Sequence, residues 1–510
     1  QLTVNNGGNV APGNSPGIPN TGSVVFNGGS TFTVEINGSI PGTQHDQLNV
    51  TGTVDLGGAT LSASGTITSA PAQTIVLINN DGVDAVTGTF NGLPESSVLT
   101  INSVDFVLSY AGGDGNDVTL IEADTLIHLD GSGNLVIEDV AGGNNDQITI
   151  QSDTANSRFV INDPGVVLTT NIPGTTGNGT NTIFVPFAAV TGTQILVNTF
   201  SGDDSLNLDF GFGDFSKTVN YDGGTQTTSD TLTLSGGGTF ANVAHTFLSS
   251  SEGNVAVTGN GLISYTGLEP VIDNLSATNR IFTFTGGAEA ITLTDNIAAD
   301  GMTRIDSTLG ELVDFANPAT SLTINAGTGD DIISISSIDA GYGGSLTING
   351  DGNTDSITLA PGLPALSALT TASETIGALP SLTIGAGGLS ITATTGGVIN
   401  QAGAGINVTG NASISAGAGS IDLGNQAGDT VNFGRITFNS AGTVSITEDS
   451  ATLLGGANTA ATLNLISAGT LTNQAGTTLN ASGVTTLNAT AVNIGGGGGD
   501  AMDFNTLSVT

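Results

Sequence analysis

The sequence predicts an all-β protein, predominantly a β-solenoid (β-helix) with about 24 residues per coil. Three observations predict it. Short stretches alternate Thr with Val, Ile and Leu, the period-two pattern of strands with one buried face. Seventy-seven glycines punctuate those stretches as turns, and helix signals are almost missing. The strand pattern also returns at fixed spacing, as an array of stacked units requires.

The repeat is clearest where Ser321-Leu322-Thr323-Ile324-Asn325 returns as Ser345-Leu346-Thr347-Ile348-Asn349. The following Asp331-Ile332-Ile333-Ser334-Ile335 returns as Asp355-Ser356-Ile357-Thr358-Leu359, and both offsets are 24 residues. An earlier copy reads Ile195-Leu196-Val197-Asn198, then Asp204-Ser205-Leu206-Asn207-Leu208. Another reads Thr218-Val219-Asn220, then Asp230-Thr231-Leu232-Thr233-Leu234, with a longer turn between the strands. On this reading Asn198, Asn220, Asn325 and Asn349 are equivalent, and they stack into an amide ladder or sit as solvent-facing turn residues.

A longer period governs the C-terminal third. Asn400-Gln401-Ala402-Gly403 returns as Asn473-Gln474-Ala475-Gly476, and Asp429 to Phe438 parallels Asp500 to Val509. These offsets of 73 and 71 residues divide into about three coils. No coil can bury its inward Leu, Ile and Val alone, so each must stack on the next. At about 4.8 Å per layer a fully solenoidal chain would form a rod roughly 100 Å long. Pro-rich turns and less regular spacing mark the N-terminal part, which could form a sandwich-like module. The expected divisions are 1–123, 124–362 and 363–510, bounded by Glu122-Ala123-Asp124 and by Pro361-Gly362-Leu363-Pro364.

Composition narrows function. Forty-four Asp and Glu face five Lys and Arg, a formal net charge of −39. That excludes nucleic acid, whose phosphates need many basic contacts, and argues against docking to anionic lipid. Divalent cations become the natural counter-charge. The apolar fraction of 37% is spread evenly, so a core can form and disorder is not expected. The absence of Cys removes disulfides, thiolate metal sites and cysteine nucleophiles. No apolar run is long enough to insert in a membrane. The chain opens at Gln1 with no signal peptide, which suggests a processed product or a piece of a longer precursor, so export is an expectation.

Several strings carry a resemblance: Ala11-Pro12-Gly13-Asn14-Ser15-Pro16-Gly17, Asp46-Gln47-Leu48-Asn49-Val50, Gly88-Thr89-Phe90-Asn91-Gly92-Leu93-Pro94-Glu95 and Tyr110-Ala111-Gly112-Gly113-Asp114-Gly115-Asn116-Asp117. In that order they resemble the passenger-type β-repeats of bacterial autotransporter-like proteins. The C-terminal third, with Ser440 to Thr443 and Ser467 to Thr470 as Ser-Ala-Gly-Thr units, is similar to filamentous haemagglutinin-like β-helical adhesins. The middle resembles the β-repeat regions of very large bacterial surface proteins. The resemblance implies a right-handed parallel β-helix, secretion, and adhesive or scaffolding work at the cell surface or in an extracellular matrix. It transfers no catalytic residue.

The strongest candidate sites are the Gly/Asp turns, which nominate Asp114, Asn116 and Asp117; Asp203 and Asp204; Asp330 and Asp331; and Asp351, Asn353 and Asp355. Calcium takes six to eight oxygens, which carboxylates and turn carbonyls stacked on one another can supply. Gly112 to Leu120 resembles the calcium-binding nonapeptide of secreted repeat toxins, with its large apolar residue displaced by one position. The alternative is that these side chains cap tight turns by accepting nearby backbone N–H groups.

Enzyme readings find little. Arg158, Lys217, Arg280, Arg304 and Arg435 are scattered singly, which gives a lyase no basic centre. Asp203-Asp204 or Asp330-Asp331 could be an acid and base pair, but adjacent strand residues point to opposite faces. His45, His128 and His245 are far apart, have no nucleophile motif nearby, and read as surface or turn residues. The absence of Trp weakens sugar stacking.

The expectation is therefore a non-enzymatic structural component outside a bacterial cell. It would be stabilised by calcium and would self-associate, or pack against neighbouring copies in a longer array, through an open strand edge. The alternatives are an adhesin for cell or glycan surfaces, binding through loops such as Thr225 to Ser229 or Gly174 to Asn181, and a polysaccharide-degrading β-helix enzyme.

Overall fold

A computed structural model describes residues 1–13, 16–70, 73–95, 97–139, 145–170 and 172–510. Asn14 and Ser15, part of the first string above, lie outside the described residues. Among the described residues the chain is all-β, and helix is confined to two 3-10 turns, Phe187–Ala189 and Phe210–Phe212. No helix there is long and apolar enough to cross a membrane. Two compact units form, residues 1–232 and 233–510.

The first unit opens with strands that pair in parallel. Leu2–Val4 lies beside Val24–Phe26, which lies beside Val54–Asp55. Asn9–Val10, Thr31–Glu35 and Thr60–Ser64 form a second such row. Asn20–Thr21, Leu48–Val50 and Thr74–Asn80 begin a third. Antiparallel pairing enters where Asp117–Glu122 joins Thr74–Asn80 and Val104–Gly112, and where Val104–Gly112 joins Val98–Ile101. Alternation sets the core: Thr31–Glu35 turns Phe32 and Val34 inward onto Phe26, Phe90 and Leu48. Later in this unit Gln194–Asn198 pairs in parallel with Leu135–Asp139 and with Thr218–Asp222.

In the second unit the sequence repeat is seen as strand register. Ser321 pairs with Ser345, Leu322 with Leu346, Ile324 with Ile348 and Asn325 with Asn349. Ile333 pairs with Ile357 and Ile335 with Leu359. Leu322, Ile324, Leu346 and Ile348 are all buried, so each strand hides the apolar face of its neighbour. The C-terminal strands continue in parallel: Gly405–Ser415 beside Thr430–Asn439, and Thr478–Asn488 beside Ala501–Val509.

Antiparallel hairpins interrupt this array. Ala290–Thr294, Met302–Ser307 and Val313–Ala316 run antiparallel in succession. The array then resumes, with Asn279 opposite Ser321.

The amide ladder exists in one of its two expected places. Asn349 Nδ2 donates to Asn325 Oδ1 at 2.8 Å. Asn198, however, lies opposite Asp222, and Asn220 lies opposite Leu196. A slip of two residues keeps the same side chains inward, so alternation cannot choose between the registers. Here Ile195 meets Val219 and Val197 meets Tyr221, all four buried.

Candidate functional site

The Asp-Asp turns divide their labour between two faces. The first Asp of each pair stays outside and caps the loop of the neighbouring strand. Asp203 Oδ1 accepts from the backbone N–H groups of Thr227, Thr228 and Ser229 at 2.9, 2.6 and 3.3 Å. These bonds, Thr228 first, hold its carboxyl below the usual range. Asp330 Oδ1 accepts from Thr354 N–H at 3.0 Å.

The second Asp of each pair is buried and caps the start of the strand before it. Asp331 N–H donates to Asp355 Oδ1 at 2.8 Å, Glu289 N–H donates to Asp331 Oδ1 at 2.8 Å, and Asp355 N–H donates to Glu374 Oε2 at 3.0 Å. In the first unit Asp146 N–H donates to Asp204 Oδ1 at 2.8 Å and Asp204 N–H donates to Asp230 Oδ1 at 2.7 Å. One oxygen of each accepting carboxylate thus serves the adjacent strand. The second oxygens of Asp204, Asp230, Asp331 and Asp355 are buried without a partner. Burial raises these acids above the ordinary carboxylate range, Asp204 to about 6.

The remaining nominated residues are placed as follows. Asn116 is buried and donates to Gly82 O at 2.7 Å, and Asp117 is buried and accepts from Asn80 N–H at 2.8 Å. Asp114, Asp351 and Asn353 are exposed on turns, and Asp351 takes a positive φ of 70°. Among the described residues, one trio of carboxylates brings its oxygens within 4.8 Å of one another: Asp295, Asp300 and Asp339. None of the ten nominated residues belongs to it. Asp339 is held there by Asn317 Nδ2 and Gly341 N–H, both at 2.9 Å, and Asp300 accepts from Met302 N–H at 2.8 Å.

Two groups of functional interest lie outside the nominated residues. Asp146 opens an Asp146-Gln147-Ile148-Thr149-Ile150 run of the same pattern as Asp355-Ser356-Ile357-Thr358-Leu359, is fully buried, and has both of its oxygens without a partner. Burial first, then Asp139, Asp163, Asp204 and Asp124, pushes it up to about 8. The second group corrects the view of the histidines as surface or turn residues. His245 is fully buried, its ring stacked at 5.0 Å on Phe282, and its Nε2 lies 2.8 Å from Asp273 Oδ2. Arg280, also fully buried, donates to the same oxygen and to the carbonyls of Leu275 (2.6 Å) and Ala316 (3.0 Å). Burial and then the Arg280 charge hold His245 well below its usual range, so the imidazole is neutral. His45 is buried in a turn, and only His128 is part-exposed, 3.0 Å from Glu138. Burial of His245 follows from strand parity, because it alternates with the inward-facing Val243 and Phe247 on Phe240–Ser249.

The few cations are all committed to the fold. Arg158 pairs with Asp153, Arg304 forms a two-point contact with Asp314 at 2.7 Å, and Arg435 donates to Asn411 and Gln474. Lys217 donates to the carbonyls of Val190 and Gly192.

Glu311 gives a pH prediction. It is buried, Leu312 N–H donates to its Oε1 at 3.0 Å, Oε2 is unpartnered, and Glu269, Asp306 and the Tyr265 phenol are its charged or titratable neighbours. Burial, then Glu269, raises it to about 8. A raised acid favours the folded state fully below the ordinary pKa, and that contribution is lost as pH rises towards about 8. The urea midpoint of the second unit is therefore expected to fall between pH 5 and pH 8, and Glu311→Gln to flatten the fall. An equal slope in the variant would refute the assignment.

The chain matches no protein-family model, no curated protein and no solved structure. The fold alone defines its class: an all-β protein built on parallel-rich sheets.

Proposed function

We propose that this chain is a non-enzymatic structural component of a bacterial extracellular surface, matrix or filament. On this reading each unit is built around a right-handed parallel β-helix of about 24 residues per coil, interrupted by hairpins, with calcium as counter-charge. The observation that carries it is the commitment of polar chemistry to neighbouring strands. The paired strands Ser321–Asn325 and Ser345–Asn349 are bridged by a hydrogen bond between Asn side-chain amides 24 residues apart, and the buried Asp at the head of the next strand pair bonds at the same spacing. The acid and base pairs that an enzyme would need are split between outer and inner faces, and all five Lys and Arg hold the fold together. The same commitment supports scaffolding over adhesion, since the Thr225 to Ser229 loop is tied down by Asp203.

Self-association belongs to this reading. Val484, Leu507 and Val509 are each about half exposed on the strand pair Thr478–Asn488 and Ala501–Val509, an apolar edge that a second copy, or a neighbouring copy in a longer array, would cover. The test is assembly. Purified chain at increasing concentration, followed by light scattering and negative-stain electron microscopy, is expected to form ordered polymers. Leu507→Lys with Val509→Lys is expected to keep it monomeric. A chain that stays monodisperse at millimolar concentration with calcium present would overturn self-association.

A further inference from the structure

We propose that the C-terminal strand edge of this chain receives the N-terminal strand edge of a second copy, in parallel and head to tail. The inference rests on the self-association reading above and names its partner surface.

The C-terminal edge exposes an apolar column. Ala501–Val509 stands last in its sheet and, among the described residues, pairs on one side only, with Thr478–Asn488. Met502, Phe504, Leu507 and Val509 lie opposite Leu479, Ala481, Thr485 and Leu487. Those four partners are at most 1% exposed, whereas Leu507 and Val509 are 46% and 54% exposed. Each layer thus seals the inward column of the layer before it, and the last column stays open. A hollow of about 510 Å³ lies there, lined by Leu487, Val492, Met502, Phe504, Leu507 and Val509.

The N-terminal edge is built in the same way. Leu2–Val4, Asn9–Val10 and Asn20–Thr21 each stand at the end of a sheet, and each pairs in parallel with the next strand of its row. Leu2 and Val10 pack on the core opposite the fully buried Val24 and Phe32, and stay partly exposed themselves. Laying these strands on the C-terminal edge of another copy continues both arrays without reversing the chain direction.

Charge selects this partner. Protein edges are commonly guarded by charged side chains that keep other strands away. Residues 1–34 contain no Asp, Glu, Lys, Arg or His, and residues 451–510 contain only Asp500 and Asp503 of these types. The other 42 of the 44 acids lie between. At a net charge of −39, contact elsewhere on the surface sets acid against acid, and the two edges are the regions spared. Two C-terminal edges facing each other would oppose Asp500 and Asp503 to their own counterparts, whereas the N-terminal edge meets them without charge. A contact between unlike edges also leaves one of each kind free, so it does not close and it propagates.

Two blocked forms of the full chain test the contact. Leu507→Lys with Val509→Lys blocks the C-terminal edge, and Thr3→Lys with Asn9→Lys, at two exposed positions, blocks the N-terminal edge. Circular dichroism checks folding, and Thr3→Glu alone replaces the second form should that one not fold. In sedimentation velocity each form alone is expected to be monomeric at concentrations where wild type polymerises. Mixed in equal amounts at those concentrations, they are expected to give a dimer of one copy of each and nothing larger. An N-terminally blocked form that still self-associates alone, or a mixture that gives no dimer, would overturn the unlike-edge contact and leave self-association of the wild type standing. A wild type that stays monodisperse would overturn both.

Discussion

Arg280→Met is expected to destabilise the second unit by about 3–5 kcal/mol, because it strands a buried carboxylate. Asp273 lies within the core with Oδ1 accepting from Leu275 N–H at 3.0 Å and Oδ2 shared by His245 and Arg280. Burial pulls the guanidinium down only to about 9, so Arg280 keeps its charge at neutral pH. Methionine fills similar space but offers no charge, and the carboxylate must then take a proton or open the core. The double variant Arg280→Met with Asp273→Leu is expected to recover much of the loss, since an apolar pair of similar volume removes the need for compensation. Urea unfolding of the full chain, read at the transition of the second unit, measures both. A loss below about 1 kcal/mol in the single variant would show that the charge is not sealed from water.

The second large effect concerns register. Deleting residues 322–345 joins Ser321 to Leu346 and leaves Ser-Leu-Thr-Ile-Asn intact between its partners Asn279–Thr283 and Ala368–Ala372. Ser356–Leu359 can then take the place of Ile332–Ile335 beside Ala290–Leu293. Buried Ile338 and Tyr342 are lost with the segment. This deletion is expected to fold with a modest drop in stability. Deleting 322–344, one residue fewer, joins Ser321 to Ser345 and shifts the merged strand by a single step. Leu346 and Ile348 then turn outward, at about 2–5 kcal/mol for each core position vacated. The second unit is expected to unfold or aggregate. Circular dichroism and protease resistance of the two variants decide it, and similar behaviour of both would refute pairing by sequence repeat.

How much the sequence discloses depends on how close the copies lie. Ser321–Asn325 and Ser345–Asn349 are identical and pair directly, so their register and their inward residues are legible from the repeat alone. Asp204, Asp331 and Asp355 are legible as turn acids, but their burial is not, because a turn motif does not say which of two adjacent carboxylates faces inward. Asp146 heads the same Asp-x-apolar-x-apolar unit, but its spacing does not reveal its partner. The strands Gln147–Asp153, Arg158–Asn162 and Thr182–Pro186 form an antiparallel excursion. It stretches the distance to Asp204 to 58 residues, and no periodicity survives that gap. Residue type alone puts His245 at the surface, whereas strand parity and the carboxylate it shares with Arg280 place it inside. The Asn198 and Asn220 pairing fails because aligning like residues ignores a two-step slip that leaves the faces unchanged.

Met302–Ser307 lies between Ala290–Thr294 and Val313–Ala316 and pairs with both, so this antiparallel strand is part of its sheet. Residues 295–301 and 308–312 join it to those two strands. Such turns can lengthen, shrink or be exchanged for foreign ones while the strands keep their partners. New surface can thus be tried out during evolution, or grafted at the bench, without renegotiating the architecture beneath it.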